Sequence, residues 1–473
     1  MNITTIAIII ATLFVIIATL LPTFIMNRKK KTSEEDWAVA SRSLPMFVVI
    51  GTQFASIMGG GVLVGHVASA YRNGVGHMVY GVLVCSPLLV IMLIARWLRH
   101  NNFTTIPEIF DNFCGENKII KVIAAVMTII VPFGWVTSQI TAFGSIYSEL
   151  TGLNYNTICI IFAIVSLLFI MPAGLKTVAW TDFIFSCFIV VFMIASLLYA
   201  TNMAGGTTGI VNNAEPHLVS IGGSLQKIGW STIFLWIFAI LPGGVTNQLY
   251  FQRVCAMEDE SKVNRSLFIS FVVSLIGFTW AVYMGISINS VNPNIADNGQ
   301  TGWFMSQLPL PLLAAFAALV FATLMSTVSS GVQSAVVNIT RDIIPSFKKN
   351  IPPEKMLQIS RMLSGVTMVV ALLMCLVFTD TLGWLTVTYG FSAATLLCPI
   401  YVGYAFRNKN FITSKGIGAS MIAGAIGATT GLILKTTINY AAIGVCLSFI
   451  TLIVVSAMTS KVSNKVKNLN LNN

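Results

Sequence analysis

The sequence predicts an all-α integral membrane protein of thirteen transmembrane helices, in which spans 2–6 and 7–11 form two inverted five-helix repeats. Three observations predict it. The 473 residues are 56% hydrophobic and only 9% charged, where soluble domains carry roughly 25% charged residues. Apolar stretches of about 20 residues, the length that crosses a bilayer, consume most of the chain. Two of these stretches, five spans apart, are interrupted by glycine at matching places.

Span 1 is read near residues 4–26. Its apolar run is too long for a signal-peptide core, and its basic cluster follows it, so it is a retained peripheral span. Residues 45–201 hold the first repeat, with spans 2–6 near 45–71, 77–97, 119–147, 154–172 and 179–201. Residues 228–404 hold the second, with spans 7–11 near 228–250, 265–288, 311–338, 358–378 and 382–404. Spans 12 and 13, near 412–434 and 438–459, are peripheral, and 460–473 form a cytoplasmic tail of the single membrane domain. Five is odd, so the second repeat enters from the opposite face. Each repeat opens with a broken helix: Ser56-Ile57-Met58-Gly59-Gly60-Gly61-Val62 in span 2 and Leu241-Pro242-Gly243-Gly244-Val245 in span 7. Lipid cannot satisfy an unwound backbone, so a break is tolerated only around a protein-enclosed cavity. A matched pair of breaks points to the solute site of an inverted-repeat transporter.

The basic residues set the orientation, N-out and C-in. With the amino terminus outside, only Arg72, Lys227 and Lys435 of the 27 Lys and Arg fall in outer segments. The outer loop 289–309 has neither Lys nor Arg. The same distribution explains the net charge of +11 without a nucleic-acid-binding patch. The eight cysteines are scattered, with no CxxC pair, metal pattern or disulfide framework. No HExxH, GxSxG or paired intramembrane Asp motif marks an enzyme.

Span 9 contains Ala322-Thr323-Leu324-Met325-Ser326-Thr327-Val328-Ser329-Ser330-Gly331. The hydroxyls of Ser326 and Thr327, with the Thr323 carbonyl one turn earlier, can present oxygens to one point. A neutral oxygen set suits a desolvated monovalent cation. The same small hydroxyl residues also let helices pack closely, and spacing alone leaves both readings open.

Here the residues reach a family. The Ser326-Thr327 pair, Ser329-Ser330 and the closing Asn338-Ile339-Thr340-Arg341-Asp342 resemble the sodium/solute symporter family, which includes proline, pantothenate, sialic acid and sugar symporters. Phe54-Ala55-Ser56-Ile57-Met58-Gly59-Gly60-Gly61 looks like that family's first core helix. Gly174-Leu175-Lys176-Thr177-Val178-Ala179-Trp180-Thr181-Asp182 looks like its approach to span 6, and Asn247-Gln248 through Gln252-Arg253 like the end of its broken span 7. The resemblance covers roughly residues 1–460. It implies a LeuT-like fold, sodium-coupled uptake by alternating access, and a sodium ion between spans 2 and 9. The matching ligands are the carbonyls of Ala55, Met58 and Thr323 and the hydroxyls of Ser326 and Thr327. Asp182 matches an acidic residue implicated in sodium release toward the cytoplasm; a helix N-cap is the alternative. Phe185 stands where many relatives have glutamine, Val62 where sugar transporters have a sugar-binding glutamine, and Gly243 and Gly244 where they have an aromatic gate. Galactose-like chemistry is therefore not expected.

The solute walls are expected from Gly59, Gly60, Gly61 and Val62 on span 2 and from Trp135, Ser138 and Gln139 on span 4. Span 7 would add Trp236, Phe238, Gly243, Gly244 and Asn247, and span 11 Thr386, Tyr389 and Ser392. The amides of residues 59–61 are a helix-end donor set suited to a carboxylate. Glu149, Asp182, Asp342 and Asp380 are read at span ends, so no charge is expected well inside a span. Arg253 is read as snorkelling or as pairing with a cytoplasmic acid at an inner gate. His66 is a lone intramembrane histidine, structural or tuning the solute site. The expected activity is import of a small organic solute, an amino acid or other carboxylate, coupled to Na+ across a bacterial cytoplasmic membrane. No nucleic acid or obligate protein partner is implied. The alternative is a transporter-like sensor with a separate signalling partner, because only about a dozen residues follow span 13.

Overall fold

The computed structural model describes residues 5–17, 34–170, 174–296, 298–348, 351–377, 380–409, 411–436 and 439–470. Among them all regular structure is helical, apart from one isolated bridge between Leu44 and Met257. Ten helices are long and apolar enough to cross a membrane. Three shorter apolar helices, Thr5–Ile17, Met46–Ile57 and Tyr155–Ile170, stand where spans 1, 2 and 5 are read. The remainder of span 1 lies outside the described residues.

Span 2 is Met46–Ile57, an unwound turn, and a π-helical segment Gly61–His66 that continues as Val67–Asn73. Span 3 is Met78–Cys85 and Pro87–His100, and span 4 is Lys118–Thr151. Span 6 is Leu175–Met203, and span 7 is Trp230–Gly244 followed by Gln248–Cys255. The stretches read as spans 8 to 13 form the helices Val263–Val291, Leu310–Asn338, Pro353–Val377, Thr381–Phe406, Ser414–Ile433 and Tyr440–Asn470.

The outer helices turn apolar side chains outward at helical spacing, as Val191, Ile194 and Leu198 do on span 6 and Val366, Val369 and Leu373 on span 10. A surrounding hydrocarbon phase removes the usual reason to bury them. The interior is the more polar place: span 9 buries Thr323, Ser326, Thr327, Ser329, Ser330, Gln333, Ser334 and Asn338.

Packing recurs between the two halves. Met46–Ile57 lies along Leu175–Met203, and Trp230–Gly244 lies along Thr381–Phe406. The second half of span 2 packs on Val263–Val291, and Gln248–Cys255 packs on Pro87–His100. Exchanging spans 2–6 with spans 7–11 maps each contact onto the other. Lys118–Thr151 and Leu310–Asn338, equivalent under that exchange, pack together.

The first break falls where the glycines predict it, at residues 58–60. The second does not. The helix runs through Pro242, Gly243 and Gly244, and the chain leaves it at residues 245–247. Proline removes one backbone donor, but Val245 N still bonds Leu241 O at 3.2 Å. Asn247 then caps the next helix, its side chain accepting from Leu249 N at 3.0 Å. The two glycines serve close approach instead. A Cβ at Gly243 would stand 2.6 Å from the Tyr389 carbonyl carbon, and one at Gly244 would stand 3.0 Å from Pro87 Cβ. Gly59 has a similar duty, since its Cβ would stand 3.0 Å from Gln139 Cδ.

Gly243→Ala is expected to lower stability by roughly 1–3 kcal/mol, the usual range for overpacking. Its unfolding in detergent measures this, and an unchanged midpoint contradicts the packing role.

Candidate functional site

Span 6 begins at Leu175, with Gly174 as its N-cap, so Asp182 lies two turns inside the helix rather than at its cap. The span-end placement of Asp182 is therefore corrected: the polar run before it is helical, and its side chain is fully buried. Asp342 is also fully buried, accepting from Thr105 Oγ1 at 3.1 Å, but it lies past Asn338 at the end of span 9, where it was read. Burial of a carboxylate demands a counter-charge and hydrogen bonds, and Asp182 has both. Arg253 Nη2 lies 3.6 Å from Asp182 Oδ2. Thr52 Oγ1 donates to Asp182 Oδ2 at 2.5 Å, Ser330 Oγ donates to the same oxygen at 3.4 Å, and Ser326 Oγ donates to Oδ1.

Arg253 is not snorkelling; it is 1% exposed. Its Nε donates to Thr52 Oγ1 at 3.1 Å, and its Nη2 donates to Ser56 Oγ at 2.7 Å and to Ser330 Oγ at 2.9 Å. Nη1 donates to Leu249 O, one turn back on its own helix, at 3.2 Å. Spans 2, 6, 7 and 9 therefore meet at one buried ion pair. Thr52 and Ser56, one turn apart on span 2, were not singled out as functional by their sequence, although their hydroxyl spacing carries the signal.

Ala55, Met58, Thr323, Ser326 and Thr327 are all buried, and span 2 packs on span 9. Thr327 Oγ1 donates to the Thr323 carbonyl at 3.0 Å, as the one-turn spacing predicts. The Thr323 hydroxyl is turned away, donating to Leu319 O at 2.9 Å. A hydroxyl that donates its proton keeps oxygen lone pairs, so Ser326 and Thr327 can still accept a cation. Hard, uncharged oxygens on a row that also reaches Asp182 fit a small monovalent cation.

Beside the first break a cavity leaves only about 30 Å³ for solvent, room for about one water. Of the predicted walls it is lined by Gly61, Val62, Trp135, Ser138, Gln139 and Tyr389. Trp135 Nε1 donates to Tyr389 Oη at 2.9 Å, which fixes both aromatics. Gln139 Oε1 accepts from Gly60 N at 2.5 Å, and Gln139 Nε2 donates to Trp135 O at 3.1 Å. The central amide of the glycine turn is thus held by protein, which corrects its reading as an open donor.

Gly59, Gly60, Trp236, Gly243, Gly244, Asn247, Thr386 and Ser392 are not among the residues lining the cavity. Trp236 stands behind the wall, edge-on to Tyr80 and His77. Phe238 is 41% exposed and faces outward. Ser392 Oγ bonds Thr246 Oγ1 at 2.6 Å, bracing the second break. Sequence reading missed Ser56, Tyr80, Phe278 and Leu385 in the lining. The last three look like ordinary apolar span residues, and only the fold brings them together.

At the start of the second half of span 7, Gln248 accepts from Ile106 N and donates to Thr104 O, both at 3.0 Å. Ser334 Oγ donates to Gln252 Oε1 at 2.7 Å. The motif from Asn247 to Arg253 is therefore buried throughout and held by the 104–106 segment, Ala38 and spans 2, 6 and 9.

The family described as Sodium:solute symporter family matches residues 37–424. The osmoregulated proline transporter OpuE of Bacillus subtilis is 24% identical, over 92% of this chain and 91% of that protein. The sodium/pantothenate symporter of Escherichia coli is 22% identical, over 84% and 85%. Among solved structures, a Na+-coupled sialic acid symporter in a substrate-bound outward-open state superposes with a TM-score of 0.83 at 15% identity, covering 98% of each chain. The nucleobase-cation-symport-1 transporter Mhp1 superposes with a TM-score of 0.57 at 12% identity, over 91% and 95%.

Asp182→Asn and Arg253→Met are each expected to cost about 3–5 kcal/mol, because each leaves a buried charge unpaired. The pair Asp182→Leu/Arg253→Met is expected to recover most of that loss. Denaturant unfolding of purified protein decides, and single variants within about 1 kcal/mol of the parent contradict the assignment.

Proposed function

We infer a sodium-coupled symporter from one premise: the chain belongs to the sodium:solute symporter family, so it is a multi-pass membrane transporter of solutes and not an enzyme. The finer reading is import of a small carboxylate-bearing solute with sodium, across the cytoplasmic membrane of a bacterium. Thirteen spans, N-out and C-in, in two inverted repeats, describe the carrier. The recurrence of packing between spans 2–6 and 7–11 supports the repeat.

One observation carries the sodium assignment. The Ser326 hydroxyl, on a buried row with Thr327 and the Thr323 carbonyl, is oriented by the Asp182 carboxylate. Sodium is the cargo that these oxygens and the carbonyls of Ala55 and Met58 receive. Span 2 supplies ligands from the edge of its unwound turn, and span 9 supplies the rest. Binding draws the two spans together and favours one arrangement of span 2. Asp182 contributes negative charge from behind Ser326, and release follows when Arg253 competes for it.

The solute site is the cavity beside the first break. At about 30 Å³ it is too small for an organic solute, so solute entry requires spans 2, 3, 7 and 8 to rock away from spans 4, 5, 9 and 10. No acidic side chain lines the cavity, which disfavours cations that need a counter-ion. Relatives named for proline and pantothenate transport act on carboxylates, and a mostly apolar wall with a few polar groups fits a small organic solute.

Ser326→Ala and Thr327→Ala are each expected to raise the sodium concentration for half-maximal uptake by about tenfold, the equivalent of 1.4 kcal/mol. Uptake into membrane vesicles measures it. Unchanged sodium dependence in both variants sinks the assignment.

A further inference from the structure

We propose that Nε2 of His66 is the hydrogen-bond donor that holds the solute's carboxylate, and that a relay from Ser69 through His77 fixes the proton there. The proposal rests on the symporter reading of this cavity and goes beyond it by naming the recognising group and the residues that set its polarity.

His66 is not a lone histidine. It ends the π-helical segment, and a tight turn at Gly74–His77, where Gly74 has φ of 69°, returns the chain into span 3. The turn sets the two rings 4.8 Å apart, with His77 Nε2 2.8 Å from His66 Nδ1. His77 is fully buried and His66 nearly so. On the far side, His77 Nδ1 lies 3.1 Å from Ser69 Oγ, which accepts from Asn73 Nδ2 at 3.1 Å.

The proton positions follow from this network rather than from observed hydrogens. Ser69 accepts from Asn73, and we assign its proton to His77 Nδ1, the arrangement that gives the buried hydroxyl proton an acceptor. A neutral His77 then carries its proton on Nε2 and donates it to His66 Nδ1. His66 must carry its own proton on Nε2. Each ring of the relay therefore points its donor toward the cavity.

His66 lines that cavity. Its Nε2 has no hydrogen-bond partner among the described residues, and it is not among the polar atoms sealed from solvent without one. The Tyr80 ring stands 4.7 Å from it and the Phe278 ring 4.6 Å, both edge-on, so this donor opens onto an apolar aromatic wall. The Tyr80 hydroxyl of the same wall is a buried polar atom without a hydrogen-bond partner. Opposite, Tyr389 accepts from Trp135 and keeps a proton to donate. A donor in a dry site is costly when unmatched, and it is stronger toward a charged acceptor than a neutral one. The glycine-turn amide at Gly60 is already bonded to Gln139. The carboxylate therefore goes to His66.

The test is ligand-induced thermal stabilisation of the purified full chain in saturating sodium, using pantothenate and lactate against their neutral counterparts pantothenol and lactamide. At least one carboxylate is expected to stabilise the protein while its neutral counterpart does not. His66→Gln, whose amide nitrogen substitutes for Nε2, should keep that affinity within about threefold. His66→Asn, too short to reach, should weaken it by about tenfold or more. His77→Phe should weaken the parent but have no further effect in a His66→Gln background, because an amide needs no relay to set its donor; a merely structural His77 would weaken both. The proposal is overturned if no carboxylate stabilises, if neutral counterparts bind equally, or if His66→Asn binds as the parent does. Stabilisation by a carboxylate that is equal in sodium and potassium sinks the coupling reading and leaves His66 assigned.

Discussion

The pairing of Asp182 with Arg253 is the constraint on which the rest of the site depends. Neither charge can sit in a membrane interior alone, and their solvation is replaced by Thr52, Ser56, Ser326 and Ser330. Those partners come from spans 2 and 9, while the charges come from spans 6 and 7. The demand for hydrogen bonds thus pins four helices to one point. Such a pair adds less net stability than its Coulomb attraction suggests, because desolvation opposes it. Its larger effect is on register: a one-residue shift of any of the four helices removes a partner.

The sodium and solute regions hang on this point from opposite sides. Ser326 belongs to both the ion pair and the proposed sodium ligands, so occupancy of the second alters the electrostatics of the first. Ser56 accepts from Arg253 and also lines the solute cavity. The unwound turn that follows Ser56 sets the Met58 side chain beside Gly277 of span 8 and the Gly60 amide on Gln139. A movement of span 2 is therefore felt by all three sites, which is the minimum that coupling between an ion and a solute requires.

Much of this was legible in the sequence, because lipid imposes a simple rule on segment length and backbone satisfaction. Every predicted stretch carries helix among the described residues, and the first break lies at its glycines. The span 9 hydroxyls were legible from spacing, since Thr323 and Thr327 are one turn apart. Three features were not. Gly243 and Gly244 look like unwinding residues, but their role is set by Tyr389 and Pro87, which are distant in sequence. Asp182 looked terminal because Lys176 and Thr177 read as loop; only partners distant in sequence, Thr52, Arg253, Ser326 and Ser330, stabilise it deep in a helix. His66 looked solitary because His77 falls at a span boundary, and the turn that pairs them has no strong sequence signature beyond Gly74.

The central claim is that the hydroxyl row of span 9, oriented by Asp182, selects sodium and thereby stabilises the folded carrier. Thermal unfolding of the purified protein at constant ionic strength, with sodium exchanged stepwise for potassium, tests it most directly. A ligand that binds only the folded state raises the midpoint with the logarithm of its concentration. The midpoint is expected to rise with sodium and to stay flat with potassium. An equal rise with both ions, or none with either, contradicts the account.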